Sequence, residues 1–242
     1  MTLLGTSGAA RSRAVALVVT LFVAITAWNA TLNTLLARSG LASVMQIAYE
    51  PTLPLTALGA AGGLAVATVA AVAVLAALAR TVAPEADALG GNETVGETAL
   101  TYVRAVVVAV GGVVAAAVGL ALLVVPGLVV LVHLPLVFVA VAADGDPIGR
   151  AVGRTWTRAS GSRARIAAVA LAVVAVPLAL AVIATLTALL PPTVELALGV
   201  LVTSVAAAAG VVAFVALAES LDGSSGGAAR TDRVAPGTSR QL

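Results

Sequence analysis

The sequence predicts an all-α fold: a polytopic membrane protein of six transmembrane helices with one or two short cytoplasmic interfacial helices. Three observations carry that prediction. The 242 residues are 61% hydrophobic and only 10% charged, with a mean hydropathy of +1.12, whereas an ordinary soluble domain carries about 25% charged residues. Several stretches exceed the roughly 18 apolar residues that indicate a membrane span. The period-two alternation of a β-barrel is absent. Backbone groups in lipid have to be satisfied within their own segment, so the spans are helices.

The first span covers 14–36, behind Arg11 and Arg13. Such a start also fits a signal peptide. Trp28, Asn29 and Asn33 in its later half, and the lack of a clean cleavage site, favour a retained helix. The second span, 55–79, follows the turn-rich Glu50-Pro51-Thr52-Leu53-Pro54. The apolar region 105–143 is too long for one crossing, and its only sharp break is Pro126-Gly127. It therefore reads as two spans, 105–125 and 128–143, joined by a tight structural turn at Pro126 and Gly127. Pro126 can join the first turn of the later helix, where a missing N–H costs nothing. The fifth span, 166–190, stops at Pro191-Pro192 and the sixth covers 194–218. Pro135 and Pro177 lie inside spans and are expected to bend them. Together 1–220 form one domain. The Gly/Ser/Ala/Arg-rich segment 221–242 cannot bury enough to order itself and is expected to be a disordered cytoplasmic tail.

All 13 basic residues are arginines. With six spans both termini share one side, and every arginine except Arg38 falls on it. The positive-inside rule then puts both termini in the cytoplasm of a cell-membrane protein. Five of these arginines follow the fourth span. There, Asp144-Gly145-Asp146-Pro147 reads as a turn feeding a helix, with Asp146 as N-cap and Pro147 at the first helical position. Arg150, Arg154 and Arg158 recur every four residues along one stripe. Ile148, Val152, Thr155, Trp156 and Ala159 lie largely off it. This is the pattern of an interfacial helix, with its arginines and Trp156 at the anionic headgroups. Ordinary topogenic charge gives the same placement without specific lipid binding. A weaker echo precedes the third span: Asn92 can cap a helix through Glu93, Glu97 and Arg104. The two segments suggest a loose duplication, 80–140 against 144–218, and Glu93 and Glu97 could face the arginine stripe.

The run Leu122-Leu123-Val124-Val125-Pro126-Gly127, an apolar helix, Asp144-Gly145-Asp146-Pro147-Ile148-Gly149-Arg150-Ala151, then Arg154-Thr155-Trp156 and Gly161-Ser162-Arg163 resembles a widespread prokaryotic group. Its members are integral membrane proteins related to the membrane domain attached to some glycerophosphodiester phosphodiesterases. The resemblance covers about 120–170, and Arg163 stands where that group usually has an aromatic residue. The missing Lys is also similar to haloarchaeal membrane proteins. The resemblance implies a six-helix membrane domain and no chemistry. This chain contains no phosphodiesterase catalytic domain, so that activity does not follow.

Candidate sites are few. Asn29 and Asn33 form one polar face with Thr26 on the first span. They read as helix glue, as an interfacial position, or as the wall of a polar cavity. His133 is the only histidine and there is no cysteine, so neither a metal site nor another cofactor is expected. His133 reads as a packing residue or as part of a path shared with Asn29 and Asn33. Glu50 and Glu195 have no partner for acid–base work. Gly59-x-x-x-Gly63 and Gly111, Gly112 and Gly119 permit close helix contact. The glycines lack the context of a phosphate loop, and the arginines lack the aromatic interleaving of a nucleic-acid site. The expected partners are membrane lipids, anionic ones above all, with a protein partner or a second copy also admissible. The sequence favours a non-enzymatic structural, scaffolding or transporter-accessory role. The alternative is a small-molecule or lipid transporter with Asn29, Asn33 and His133 around a shared cavity.

Overall fold

A computed structural model describes residues 8–40, 52–83, 94–160, 182 and 191–231. Helix α1 is Gly8–Arg38, α2 Ala57–Val82, α3 Val95–Leu122, α4 Val124–Ala142, α5 Ile148–Ser160 and α6 Pro192–Thr231. The chain is an all-α, polytopic membrane protein. Among the described residues five helices are long and apolar enough to cross a bilayer: Arg11–Arg38, Ala57–Val82, Val95–Leu122, Val124–Ala142 and Thr193–Leu221. The expected span 166–190, with Pro177, lies outside the described residues. The helix of the expected sixth span continues past Leu221 to Thr231, into the Gly/Ser-rich segment.

Helices α2 and α3 start where the sequence supplies a cap. Thr56 precedes α2, and its Oγ1 accepts the Gly59 N–H at 3.1 Å. Thr94 precedes α3 and closes a capping box with Glu97. The Thr94 N–H donates to Glu97 Oε2 at 2.9 Å, and the Glu97 N–H donates to Thr94 Oγ1 at 3.3 Å. The cap is thus Thr94, two residues beyond Asn92, because Glu97 stands three residues after Thr94 as the box requires. Asn92 and Glu93 lie outside the described residues. The echo of an interfacial helix is here the opening of α3, continuous with the span that follows.

The first two helices form an antiparallel pair. The Trp28 Nε1–H donates to Thr68 Oγ1 at 3.1 Å across the seam. Gly63 meets Thr31, and a Cβ on Gly63 would stand 2.9 Å from the Thr31 methyl. Gly63 therefore fulfils the close contact that the Gly59-x-x-x-Gly63 spacing permits. Gly59 instead faces Leu55 and Thr56 of its own helix start. Buried Thr34 ties down the connection, accepting the Leu53 N–H at 2.7 Å while donating to the Ala30 carbonyl at 2.7 Å.

Helices α3 and α4 form the second pair. The break between them is one residue, Leu123, in extended conformation (φ −152°, ψ 122°). Its N–H still donates to the Gly119 carbonyl at 2.8 Å, and its carbonyl accepts from Gly127 at 3.5 Å. Pro126 and Gly127, expected as the turn, sit in the first turn of α4, the place the sequence also allowed for Pro126. Pro126 takes its third position, one of the donors that a helix start leaves unpaired in any case. Gly127 is needed for a different reason. A Cβ on Gly119 would lie 2.8 Å from the Gly127 Cα, and a Cβ on Gly127 would collide with Leu120. The two helices cross backbone to backbone here, which only glycine allows.

Helix α2 touches α1, α3, α4 and α6, and α6 also packs on α1 and α4. The most enclosed helix is α4, with 33% of its most apolar stretch buried against 17% for α1, α2 and α3. The core lies toward one end of the bundle, where Leu17, Ala79, Ala105, Val141, Ala151 and Val215 belong to one cluster. This brings together the starts of α1, α3 and α5 and the ends of α2, α4 and α6. Arg11, Arg13, Arg80, Arg104, Arg150 and Arg154 lie on these same segments.

The backbone crossing fixes an expected mutational pattern. Gly119→Ala and Gly127→Ala each force a backbone shift and should cost about 2 kcal/mol or more. Gly111→Ala meets open space and should be neutral or gain up to about 1 kcal/mol of helix propensity. Thermal unfolding in detergent, followed by circular dichroism, measures both.

Candidate functional site

The polar groups of the arginine-rich end converge where α4 turns into α5. Gly145, at φ +69°, reverses the chain in the left-handed region that suits glycine. The Asp146 N–H then returns to the Ala140 carbonyl at 3.2 Å. Helix α5 opens one residue later than the sequence suggests. The Pro147 carbonyl accepts from Arg150 at 2.9 Å and Ala151 at 3.0 Å, so Pro147 holds the cap position expected of Asp146. The Asp146 side chain is left to bind elsewhere.

It binds arginine. Arg154 Nη1 donates to Asp146 Oδ2 at 2.9 Å, and its Nη2 donates to Asp144 Oδ2. One guanidinium thus grips both carboxylates of the turn, the fork geometry that arginine supplies and lysine does not. Arg150 stands 3.8 Å from the other Asp146 oxygen and remains 71% exposed. Asp146 is only 8% exposed, so its charge needs the Arg154 partner. Arg154 Nε is buried and has no hydrogen-bond partner among the described residues.

This clamp folds α5 back along α4. Ala151 and Thr155 are buried against the bundle, while Val152 and Trp156 stay exposed. Trp156 stacks on His133 of α4 with ring centroids 5.1 Å apart and planes 28° apart. His133 Nδ1 also lies 2.8 Å from the Val129 carbonyl, which places the proton of the neutral ring on Nδ1. A cavity with water-accessible space of about 10 Å³ lies beside the clamp. Asp144, Arg154 and Thr155 line it, with Leu136 and Ala140 of α4 and Ala218 and Leu221 of α6. That is room for about one water molecule, not for a transported solute.

The other candidate residues go elsewhere. Asn29 Nδ2 donates to the Ile25 carbonyl of its own helix at 2.9 Å. Among the described residues Asn29 and His133 share no hydrogen bond, and neither they nor Asn33 line the cavity beside Arg154. Glu97 is held by Thr94, while the acidic partners of Arg154 come from the turn preceding its own helix. The side chain of Arg158 lies outside the described residues. Among those described, no group of three or more His, Cys, Asp or Glu side chains could hold a metal. Sequence reading missed the clamp and the stack. Asp144 and Asp146, ten and eight residues before Arg154, are the signal for the first. For the second the sequence offers only an unpaired aromatic near a lone histidine. Comparison with family models, with curated proteins and with solved structures finds no match for this chain.

The clamp predicts an ordered loss of stability. Arg154→Gln leaves the largely buried Asp146 without its main partner and should lower stability by about 2 kcal/mol. Arg150→Gln removes an exposed contact and should cost less than about 0.5 kcal/mol. Tryptophan emission reports the same event. Release of α5 by Arg154→Gln should change the Trp156 signal in a Trp28→Phe background.

Proposed function

We propose that this chain is a membrane scaffold that acts through helix packing and contact with anionic lipid, without chemistry of its own. One observation carries the reading. The Arg154 clamp holds α5 against the bundle and leaves Arg150 and Trp156, 71% and 59% exposed, on its outer surface. Arg150, at the opening of α5, suits the headgroup boundary, while Trp156, stacked on His133 nine residues before the end of α4, lies deeper against the acyl chains. In this reading Arg154 positions the helix, while Arg150, Arg158 and Trp156 meet the lipid.

The same proposal includes six crossings with both termini in the cytoplasm. Helices α4 and α6 end in one core cluster, so α6 starts at the opposite face. In this reading the sixth crossing is made by the chain between α5 and α6. The apolar stretch 166–190 supports this, since as a helix it would reach about 37 Å, enough for a hydrocarbon core of about 30 Å.

Native mass spectrometry of the purified protein with mixed phosphatidylglycerol and phosphatidylcholine tests the lipid contact. The parent protein should retain phosphatidylglycerol preferentially. The double variant Arg150→Gln, Arg158→Gln should lose most of that preference, about fivefold per charge at roughly 1 kcal/mol each. Its thermal stability should stay close to the parent's. Unchanged lipid selectivity in a folded double variant would refute the proposal.

A further inference from the structure

The turn between α3 and α4 is unlike an ordinary extramembrane loop. From Ala105 to Ala143 the only polar side chain is His133. The connection is a single residue, Leu123. Around it Leu122, Leu123, Val124 and Val125 are 76, 67, 62 and 71% exposed. The connection between α1 and α2 is different: Arg38, Ser39, Thr52 and Thr56 flank it.

The two helix pairs also differ in reach. Both start from the arginine-rich end, where Ala79, Ala105 and Ala142 belong to one core cluster and Ala14 packs against it. From there α3 runs to Leu122, roughly 27 Å at about 1.5 Å per residue, and α4 is about 28 Å long. The first pair is longer, about 37 Å from Ala14 to Arg38 and about 35 Å from Ala57 to Ala79. A hydrocarbon core of about 30 Å is bracketed by headgroup layers that bring the total to roughly 40–45 Å. The first pair reaches well into the far headgroups. The second pair, even upright, ends near the far edge of the hydrocarbon.

We infer that the α3–α4 pair is a lipid-embedded hairpin, whose turn is occupied by the acyl chains of the far leaflet and presents no loop to the water beyond. The backbone of the turn suits that depth. The Leu123 N–H is bonded to Gly119, and Pro126 has no N–H to leave unpaired. The few remaining free amides of the α4 start can reach the boundary region. The four aliphatic side chains stay in hydrocarbon. This inference depends on neither the scaffold proposal nor the direction of insertion.

The chain has no cysteine, so single reporters can be added directly. Leu123→Cys and Val125→Cys are compared with Ser39→Cys, which marks the polar turn of the first pair. Each variant is checked against the parent for thermal stability, and the two tip positions guard against misfolding of either one. In liposomes opened to both sides, a membrane-impermeant maleimide should label the tip cysteines at least about tenfold more slowly than Cys introduced at position 39, the bias expected from burial of one such side chain. A bimane group attached before reconstitution should be quenched more by nitroxides on acyl chains than by nitroxides on headgroups. Labelling as fast as at position 39 would overturn the inference. So would slow labelling without acyl-chain quenching but with disulfide-linked dimers, because a second copy would then cover the tip.

Discussion

Lipid offers no hydrogen bonds, and most of this architecture answers to that fact. Thr20, Thr26, Thr31 and Thr34 on α1 donate to carbonyls of their own helix, as do Asn29 and, on α6, Thr203 and Ser204. Polar side chains satisfied in this way hold few neighbours together. Association then falls to close approach between slim helices, where dispersion replaces the hydrophobic effect. The Gly119–Gly127 crossing, the seat of Leu134 on Gly112 and the Gly63–Thr31 contact are expressions of that rule. They make the bundle more sensitive to an added methyl than to a missing one.

The sequence made much of the framework legible, because hydropathy over twenty residues is a strong signal and leucine, alanine and valine leave little doubt about the solvent. The same uniformity hides detail. Nothing in Leu122-Leu123-Val124 distinguishes the residue that breaks the helix from those that continue it. Pro126 and Gly127 attract the eye, yet one tolerates a helix start and the other a helix crossing. The shift of the α3 cap from Asn92 to Thr94 follows from a single reciprocal pair with Glu97. The shift at α5 from Asp146 to Pro147 has an electrostatic cause: Asp146 serves Arg154 instead of the backbone. Periodicity placed Arg150, Arg154 and Arg158 on one stripe, but tertiary contact gives the first two separate tasks.

That division organises the arginine-rich end. Ala151 and Thr155 face the bundle, Arg154 locks the turn from the side, and Arg150 and Trp156 look outward. Small residues allow α5 to sit close to α4, and the two carboxylates fix where along α4 it sits. The His133–Trp156 stack extends this register by a further two turns. A helix held at three levels can offer its outer surface in a defined orientation, which a loose amphipathic segment cannot.

Arg154 also acts at two different times. A nascent chain has no folded turn, so Arg154 meets the insertion machinery as an unneutralised cation. Acidic neighbours offset such a signal only weakly. Once α4 and α5 dock, Asp144 and Asp146 take up that charge. The connection after α4 carries the same charges before and after docking, but docking ties Arg154 to the turn and leaves Arg150 as the exposed cation beside it.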